Sequence, residues 1–369
     1  MKKLLAVLLA LVVVFSFASC SKDEAATTTT ASSSTTTTTA VAEKEEPLKL
    51  GMVTDAGTID DRSFNQGTYE GVVKAAEELG LESTYLRPSG TTTTDYLTAI
   101  SDLYDQGYRF IACPGYLFAE AVAQAQEMYP DLKIIIIDDP LSAGIGENTV
   151  AITFREHEAG FLAGVATALK LGEGEVGFVG GLEIPSVQKF NWGFQQGVAY
   201  ANENMGTDIA MNANNFVYSG SFADLALGQQ LATAMYDSGV DAIFAAAGGT
   251  GVGVINEAKN RRLSGSDVWA IGVDVDQYSV GDMGNGESCI LTSAMKDVAG
   301  VAYDQAVAAA KGTYNGGVHI ELGIAEDRAG IPASNPNLTP EIEEQVAQVV
   351  ELIKAGEITI QSTGDGLIK

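Results

Sequence analysis

The chain has 369 residues, with 48 Asp and Glu against 21 Lys and Arg and a formal net charge of −27. That balance leaves no basic patch able to follow a phosphate backbone, so no nucleic-acid partner is expected, and the acid excess itself implies only solubility. The length exceeds what one hydrophobic core usually supports, which predicts two lobes.

Lys2 and Lys3 precede an apolar run over residues 4–15, the pattern of a secretory signal. The run is too short for a transmembrane helix, which needs about 20 apolar residues. Phe17-Ala18-Ser19-Cys20 resembles the lipobox of bacterial lipoproteins, with Phe17 where Leu is usual. Residues 1–19 are therefore expected to be a signal peptide, and Cys20 the lipidated first residue of the mature chain. Residues 20–46 carry a Thr/Ser tract with almost no large apolar side chain. Such a segment buries too little surface to offset its ordering entropy and reads as a tether with a reach of ~25–30 Å.

From residue 48 onward, strand-like and helix-like runs alternate. Strands are predicted at 48–54, 81–86, 109–112, 133–137, 149–152, 176–179, 214–218, 242–246, 268–273 and 290–294. Helices are predicted at 71–79, 96–106, 119–129, 157–169, 194–204, 225–238 and 298–311, and Thr339-Pro340-Glu341 opens a last one with cap, proline and acid in the favoured order. Continuous apolar strands such as residues 134–137 belong in parallel sheets covered on both faces, so the fold class is α/β, doubly wound, twice over. Cys113 and Cys289 lie in strand-like segments and read as buried free thiols, although a pair is open to an exported protein.

The pattern F-N-x-G-x-x-x-G-V occurs at Phe64-Asn65 with Gly67 and Gly71, and again at Phe190-Asn191 with Gly193 and Gly197. Each copy follows a strand and is expected to open a helix whose two glycines pack closely on a sheet. Two lobes built alike, each aiming an aromatic and an amide from a strand-to-helix turn, suggest a ligand held between them.

Ligands of doubly wound sheets sit at the carboxyl ends of the strands. Those positions carry Asp55, Asp60-Asp61, Phe64-Asn65, Phe118, Asp138-Asp139, Gly180-Gly181, Phe222, Gly248, Asp274 and Lys296. Phenylalanines from opposite lobes, Phe64 or Phe118 on one side and Phe222 on the other, can sandwich a flat ring. Asp274 can accept from vicinal hydroxyls with Lys296 as its cation, while Asn65 and Asp138 can read a base edge. One acid of each Asp pair is expected to cap a turn while the other faces the ligand. Enzyme readings fare poorly. No G-x-S-x-G elbow occurs, the glycines around 248–253 fail the dinucleotide spacing, and His157, flanked by Glu156 and Glu158, reads as solvated or capping. No cofactor or metal is expected.

The run from Asp55-Ala56-Gly57 through Asp60-Asp61-Arg62-Ser63-Phe64-Asn65-Gln66 resembles the signature of the basic membrane protein family, nucleoside-binding lipoproteins that serve ABC importers. The resemblance continues through Glu158-Ala159-Gly160-Phe161-Leu162-Ala163-Gly164, Gly177-Phe178-Val179-Gly180-Gly181, Ala246-Ala247-Gly248-Gly249-Thr250-Gly251 and Ile271-Gly272-Val273-Asp274-Val275-Asp276-Gln277. It implies a type I periplasmic-binding-protein fold, two lobes joined by three crossing strands near 148–153, 274–278 and 318–322. The lobes would comprise residues 47–150 with 276–318, and 151–275 with 319–369. It also implies a purine nucleoside as ligand, with Asn65 and Asp138 on the base, Phe222 stacked, and Gly248, Asp274 and Lys296 on the ribose. An ABC permease would be the partner, the protein a monomer, and the lipid on Cys20 its hold on the bacterial cell envelope. A sugar or signal-molecule receptor of the same fold, or an exported nucleoside-acting enzyme, are the alternatives.

Overall fold

Buried apolar strands at the centre of each sheet alternate with helices in the computed structural model, which describes residues 46–284 and 286–368. The expected signal peptide, Cys20 and nearly all of the tether lie outside them.

The first sheet is built from β1 (Lys49–Val53), β2 (Glu82–Leu86), β3 (Phe110–Pro114), β4 (Lys133–Ile137), β5 (Thr149–Phe154) and the late strand β11 (Val318–Leu322). Its order is β11-β5-β4-β3-β1-β2, and every pair is parallel. The second sheet takes β6 (Glu173–Gly180), β7 (Asp208–Tyr218), β8 (Ala242–Ala246), β9 (Trp269–Asp274), β10 (Ile290–Lys296) and the short β12 (Ala329–Gly330). Its order is β12-β10-β9-β8-β6-β7, parallel except for β12. In β4, four isoleucines in succession are buried, as a strand with helices on both faces requires. The helices are α1 (Phe64–Leu79), α2 (Thr93–Asp105), α3 (Ala119–Met128), α4 (Glu156–Leu171), α5 (Pro185–Asn204), α6 (Leu225–Asp237), α7 (Gly248–Leu263), α8 (Val298–Ala310) and α9 (Pro340–Lys354). The arrangement is a periplasmic-binding-protein fold.

The chain passes between the sheets after β5, after β10 and after β11. These positions correct the expected lobe boundaries. All of β5, to Phe154, and all of β11, to Leu322, pair in the first sheet. The expected crossing at 274–278 is a turn back: the Gln277 side chain accepts the Val273 N–H (3.0 Å) while its backbone N–H donates to Ser293 Oγ (3.1 Å). That returns residues 276–297 to the second sheet instead of the first. Two arginines lace the true crossings together. Arg155, after β5, pairs with Glu326, after β11, and Arg328 in turn pairs with Asp297, after β10.

The repeated glycine pairs pack against helices, not sheets. A Cβ on Gly71 would collide with the Ala299 carbonyl of α8, and one on Gly193 or Gly197 with the His157 or Phe161 carbonyl of α4. The two copies also differ in placement. Phe64 is the first residue of α1, whereas Phe190 lies well inside α5, which starts at Pro185. His157 is correspondingly buried in the α4–α5 contact, not solvated, and burial pushes its pKa down to about 4. Cys113 and Cys289 are buried, unpaired and in different halves of the fold.

Candidate functional site

The carboxyl ends of both sheets converge on one narrow cavity of about 490 Å³, its mouth included. Eight of the nine residues expected at a site line it: Asp55, Phe64, Asn65, Asp138, Phe222, Gly248, Asp274 and Lys296. The ninth, Phe118, does not. It ends a 3-10 turn (Tyr116–Phe118) that rotates its ring inward against Tyr96, centroids 4.3 Å apart, in the core of the first half. Phe64 is therefore the aromatic that the first half supplies to the cavity.

Facing elements set each of these side chains. Asp61 receives the Ser63, Asn65 and Gln66 N–H groups at 2.9, 2.9 and 3.1 Å, which fixes the first turn of α1 and presents Phe64 at the cavity. Its partner in sequence, Asp60, is exposed. In the second half the Phe222 ring lies on Gly181, where any Cβ would collide with it. The glycine pair after β6 thus makes room for an aromatic wall. Gly248 begins α7 with φ of 53°, so the positive end of that helix borders the cavity.

Asp138 and Asp274 both have left-handed backbones, φ of 72° and 65°, at the ends of β4 and β9. Non-glycine residues persist there only where their surroundings impose it, and such strain collects at binding sites. Both acids face Lys296, the last residue of β10, which is 3% exposed. Its Nζ lies 2.5 Å from Asp138 Oδ2, 3.7 Å from Asp274 Oδ1 and 3.8 Å from Glu156 Oε1. It also lies 4.5, 5.9 and 5.6 Å from the ring centres of Phe64, Phe154 and Phe190. Burial works against the ammonium charge, but the three carboxylates outweigh it and hold its pKa above the ordinary lysine range. The Asp138–Lys296 pair joins the first sheet to the second, as does the Ser63 hydroxyl donating to Asp274 Oδ2 at 2.5 Å. The other acid of the 138–139 pair, Asp139, holds the next turn by accepting the Leu141 N–H.

Burial pushes the pKa of Asp274 up to about 6 despite Lys296 and Ser63, and that of Asp55 up to about 6 despite the Gly57 N–H and Asn65. Glu156, the first residue of α4, is likewise raised by burial against the pull of Lys296. Asn65 departs from its expected role. Its amide donates to Asp55 Oδ1 and Asp61 Oδ2 at 2.8 and 2.9 Å and its oxygen accepts the Asp55 N–H, so it orients the acids and has no amide hydrogen left for a base. Asp138 Oδ1, by contrast, is buried with no hydrogen-bond partner. The site thus offers flat apolar walls, acceptors short of donors and one caged cation. Phe190, the aromatic of the second repeat, does line the cavity, while Glu156 is the residue that sequence reasoning misses. Glu156 enters the sequence reading only as a neighbour of His157, and Phe190 reaches the cavity from inside α5 and not from the strand-to-helix turn expected of it.

A sequence profile described as "ABC transporter substrate-binding protein PnrA-like" matches residues 48–364. A CD4+ T-cell-stimulating antigen of Listeria monocytogenes is 34% identical over 84% of this chain and 87% of its own length. An ABC transporter nucleoside-binding protein of Lactococcus lactis is 32% identical over 85% of this chain and 89% of its own. Among solved structures, an ABC transporter solute-binding protein of Aeropyrum pernix superposes with a TM-score of 0.75 at 25% identity, covering 87% of this chain and 95% of that one.

Proposed function

The chain belongs to the family of PnrA-like ABC transporter substrate-binding proteins, and from that premise we propose that it captures purine nucleosides and passes them to an ABC importer. The observation that carries this reading is the pairing, in one slot, of aromatic walls from opposite halves with an acid–lysine cluster short of donors. Phe64 and Phe222 flank the base. Asp55, whose Oδ2 receives none of the hydrogen bonds that hold Oδ1, takes a donor on the base edge. Asp274, Lys296 and the start of α7 at Gly248 hold the ribose, its vicinal hydroxyls donating to the Asp274 carboxylate. Asp138, bonded to Lys296, stands beside the sugar. The nucleoside-binding relative from Lactococcus lactis supports the same ligand class. Nothing in this arrangement performs covalent chemistry: the protein binds, closes and releases.

The protein acts as a monomer held at the cell envelope by a lipid on Cys20, with residues 20–46 as its tether. The proposal is checked by replacing each phenylalanine with alanine and titrating adenosine. Phe64→Ala and Phe222→Ala weaken binding by roughly tenfold to a hundredfold, since base stacking contributes about 1–3 kcal/mol. Undiminished affinity in both variants would contradict the sandwich.

A further inference from the structure

Asp274 owes its place to a turn that does not hold itself. The Val275 N–H donates to the Val273 carbonyl at 2.7 Å, closing a three-residue turn around Asp274, whose φ is 65°. Turns of this hand are rare and strained, and around a residue with a side chain they persist only where the surroundings impose them. Gln277 imposes this one. It is 1% exposed, and its Oε1 accepts the Val273 N–H at 3.0 Å while its Nε2 donates to the Arg62 carbonyl at 2.8 Å. An N–H on one side and a carbonyl on the other fix which way the amide points, and a single planar amide serves both. The Gln277 backbone N–H is held in turn by Ser293 Oγ at 3.1 Å. Gly272 leaves the space, since a Cβ there would lie 2.5 Å from Ser293 Oγ and 2.8 Å from Gln277 Oε1.

The two partners of the amide stand at the two ends of one contact. Val273 precedes Asp274. Arg62, itself left-handed with φ of 57°, precedes Ser63, whose hydroxyl donates to Asp274 Oδ2. Gln277 thereby sets both the backbone from which the Asp274 carboxylate projects and the donor that occupies one of its oxygens, although it does not line the cavity itself. We propose that Gln277 is a positioning residue for ligand selectivity, holding the Asp274 carboxylate where the vicinal hydroxyls of a ribose reach it. The proposal rests on the nucleoside reading above. Loss of Gln277 then costs affinity only for ligands that carry those hydroxyls.

The test is calorimetric titration of the purified protein, stripped of carried-over ligand and refolded, with adenosine and 2′,3′-dideoxyadenosine. The variants are Gln277→Met, which removes both amide contacts, and Gln277→Glu, which keeps an acceptor for Val273 but sets an oxygen against the Arg62 carbonyl. The unaltered protein is expected to prefer adenosine by about tenfold or more, as a hydrogen bond to a charged group provides. Both variants are expected to weaken adenosine by about tenfold and 2′,3′-dideoxyadenosine by less than about threefold. Ser293→Ala, which removes only the acceptor of the Gln277 N–H, is a milder change that keeps the test decisive if a Gln277 variant fails to fold. It should show the same selective loss at about threefold to fivefold. If the unaltered protein prefers adenosine and the folded variants lose both ligands alike, or lose neither, the positioning role is overturned and the nucleoside reading stands. If the unaltered protein shows no preference, or binds neither ligand, the ribose assignment falls and the proposal with it.

Discussion

Lys296 shows how much a single residue carries here. Among the described residues it is the one cation within 4 Å of Asp138 and Asp274, and it shares Glu156 with Lys189. Replacing it by methionine leaves buried carboxylates uncompensated, which costs roughly 3–5 kcal/mol. Because burial raises the pKa of Asp274 and Glu156, these two take up protons more readily than exposed acids, and the loss shrinks as pH falls from about 7 to about 5. Denaturant unfolding at the two pH values checks this, and a loss that grows on acidification contradicts it. Asp274 offers a second test. With φ of 65°, Asp274→Ala adds a left-handed penalty of roughly 1–2 kcal/mol that Asp274→Asn avoids. Both variants remove the carboxylate and weaken nucleoside binding by roughly tenfold or more, and only the alanine also lowers the thermal midpoint.

The raised pKa values of Asp55 and Asp274 fix the pH dependence of binding. Both carboxyls release their protons at about 6 in the free protein, and a ligand donating hydrogen bonds favours the ionised form. The bound pKa values are therefore lower, and affinity is full above about pH 6 and falls below it, by up to about tenfold per unit for each group. The dissociation constant for adenosine should be flat between about pH 7 and 8 and rise at least about tenfold between 6 and 5. A flat profile down to pH 5 would exclude both acids from ligand contact.

At the scale of elements, the glycine pairs set how closely helices approach. Gly71 against α8 and Gly197 against α4 leave no room for a methyl group between backbones. Gly71→Ala and Gly197→Ala should each destabilise by roughly 1–3 kcal/mol, measured by chemical unfolding, because two rigid helices must separate. An unchanged unfolding midpoint in either variant would mean the helices are not held at this distance. The same helices mark where sequence reading stopped short. Apolar runs such as residues 134–137 revealed the strands, and residues just after strands revealed eight cavity positions. Whether Phe64 or Phe118 faces the ligand cannot be read, since both lie in the segments that follow strands of the first sheet, Phe118 four residues after β3 and Phe64 eleven after β1. The 3-10 turn that rotates Phe118 inward leaves no compositional mark. Asn65 was found, but its role was not: only the positions of Asp55 and Asp61 show that its amide hydrogens are already engaged. The lobe boundary at 275 failed for a related reason, since the turn held by Gln277 depends on Ser293, a contact across 16 residues.

Across the whole molecule, three crossings tied by Arg155 and Arg328 join two sheets whose carboxyl ends share one slot. The Asp138–Lys296 and Ser63–Asp274 contacts span that slot, so a ligand touching both halves replaces or reinforces bonds that already bring them together. The account stands or falls on what fills the slot. The most direct measurement is calorimetric titration of the stripped and refolded protein with adenosine, guanosine, inosine, cytidine, free adenine and ribose. The account predicts tight binding of the purine nucleosides and weak or no binding of adenine or ribose alone, because the walls and the acid–lysine cluster hold different parts of one molecule. No heat with any nucleoside, from protein shown to have regained its fold, would contradict it and leave a receptor of this fold for some other solute.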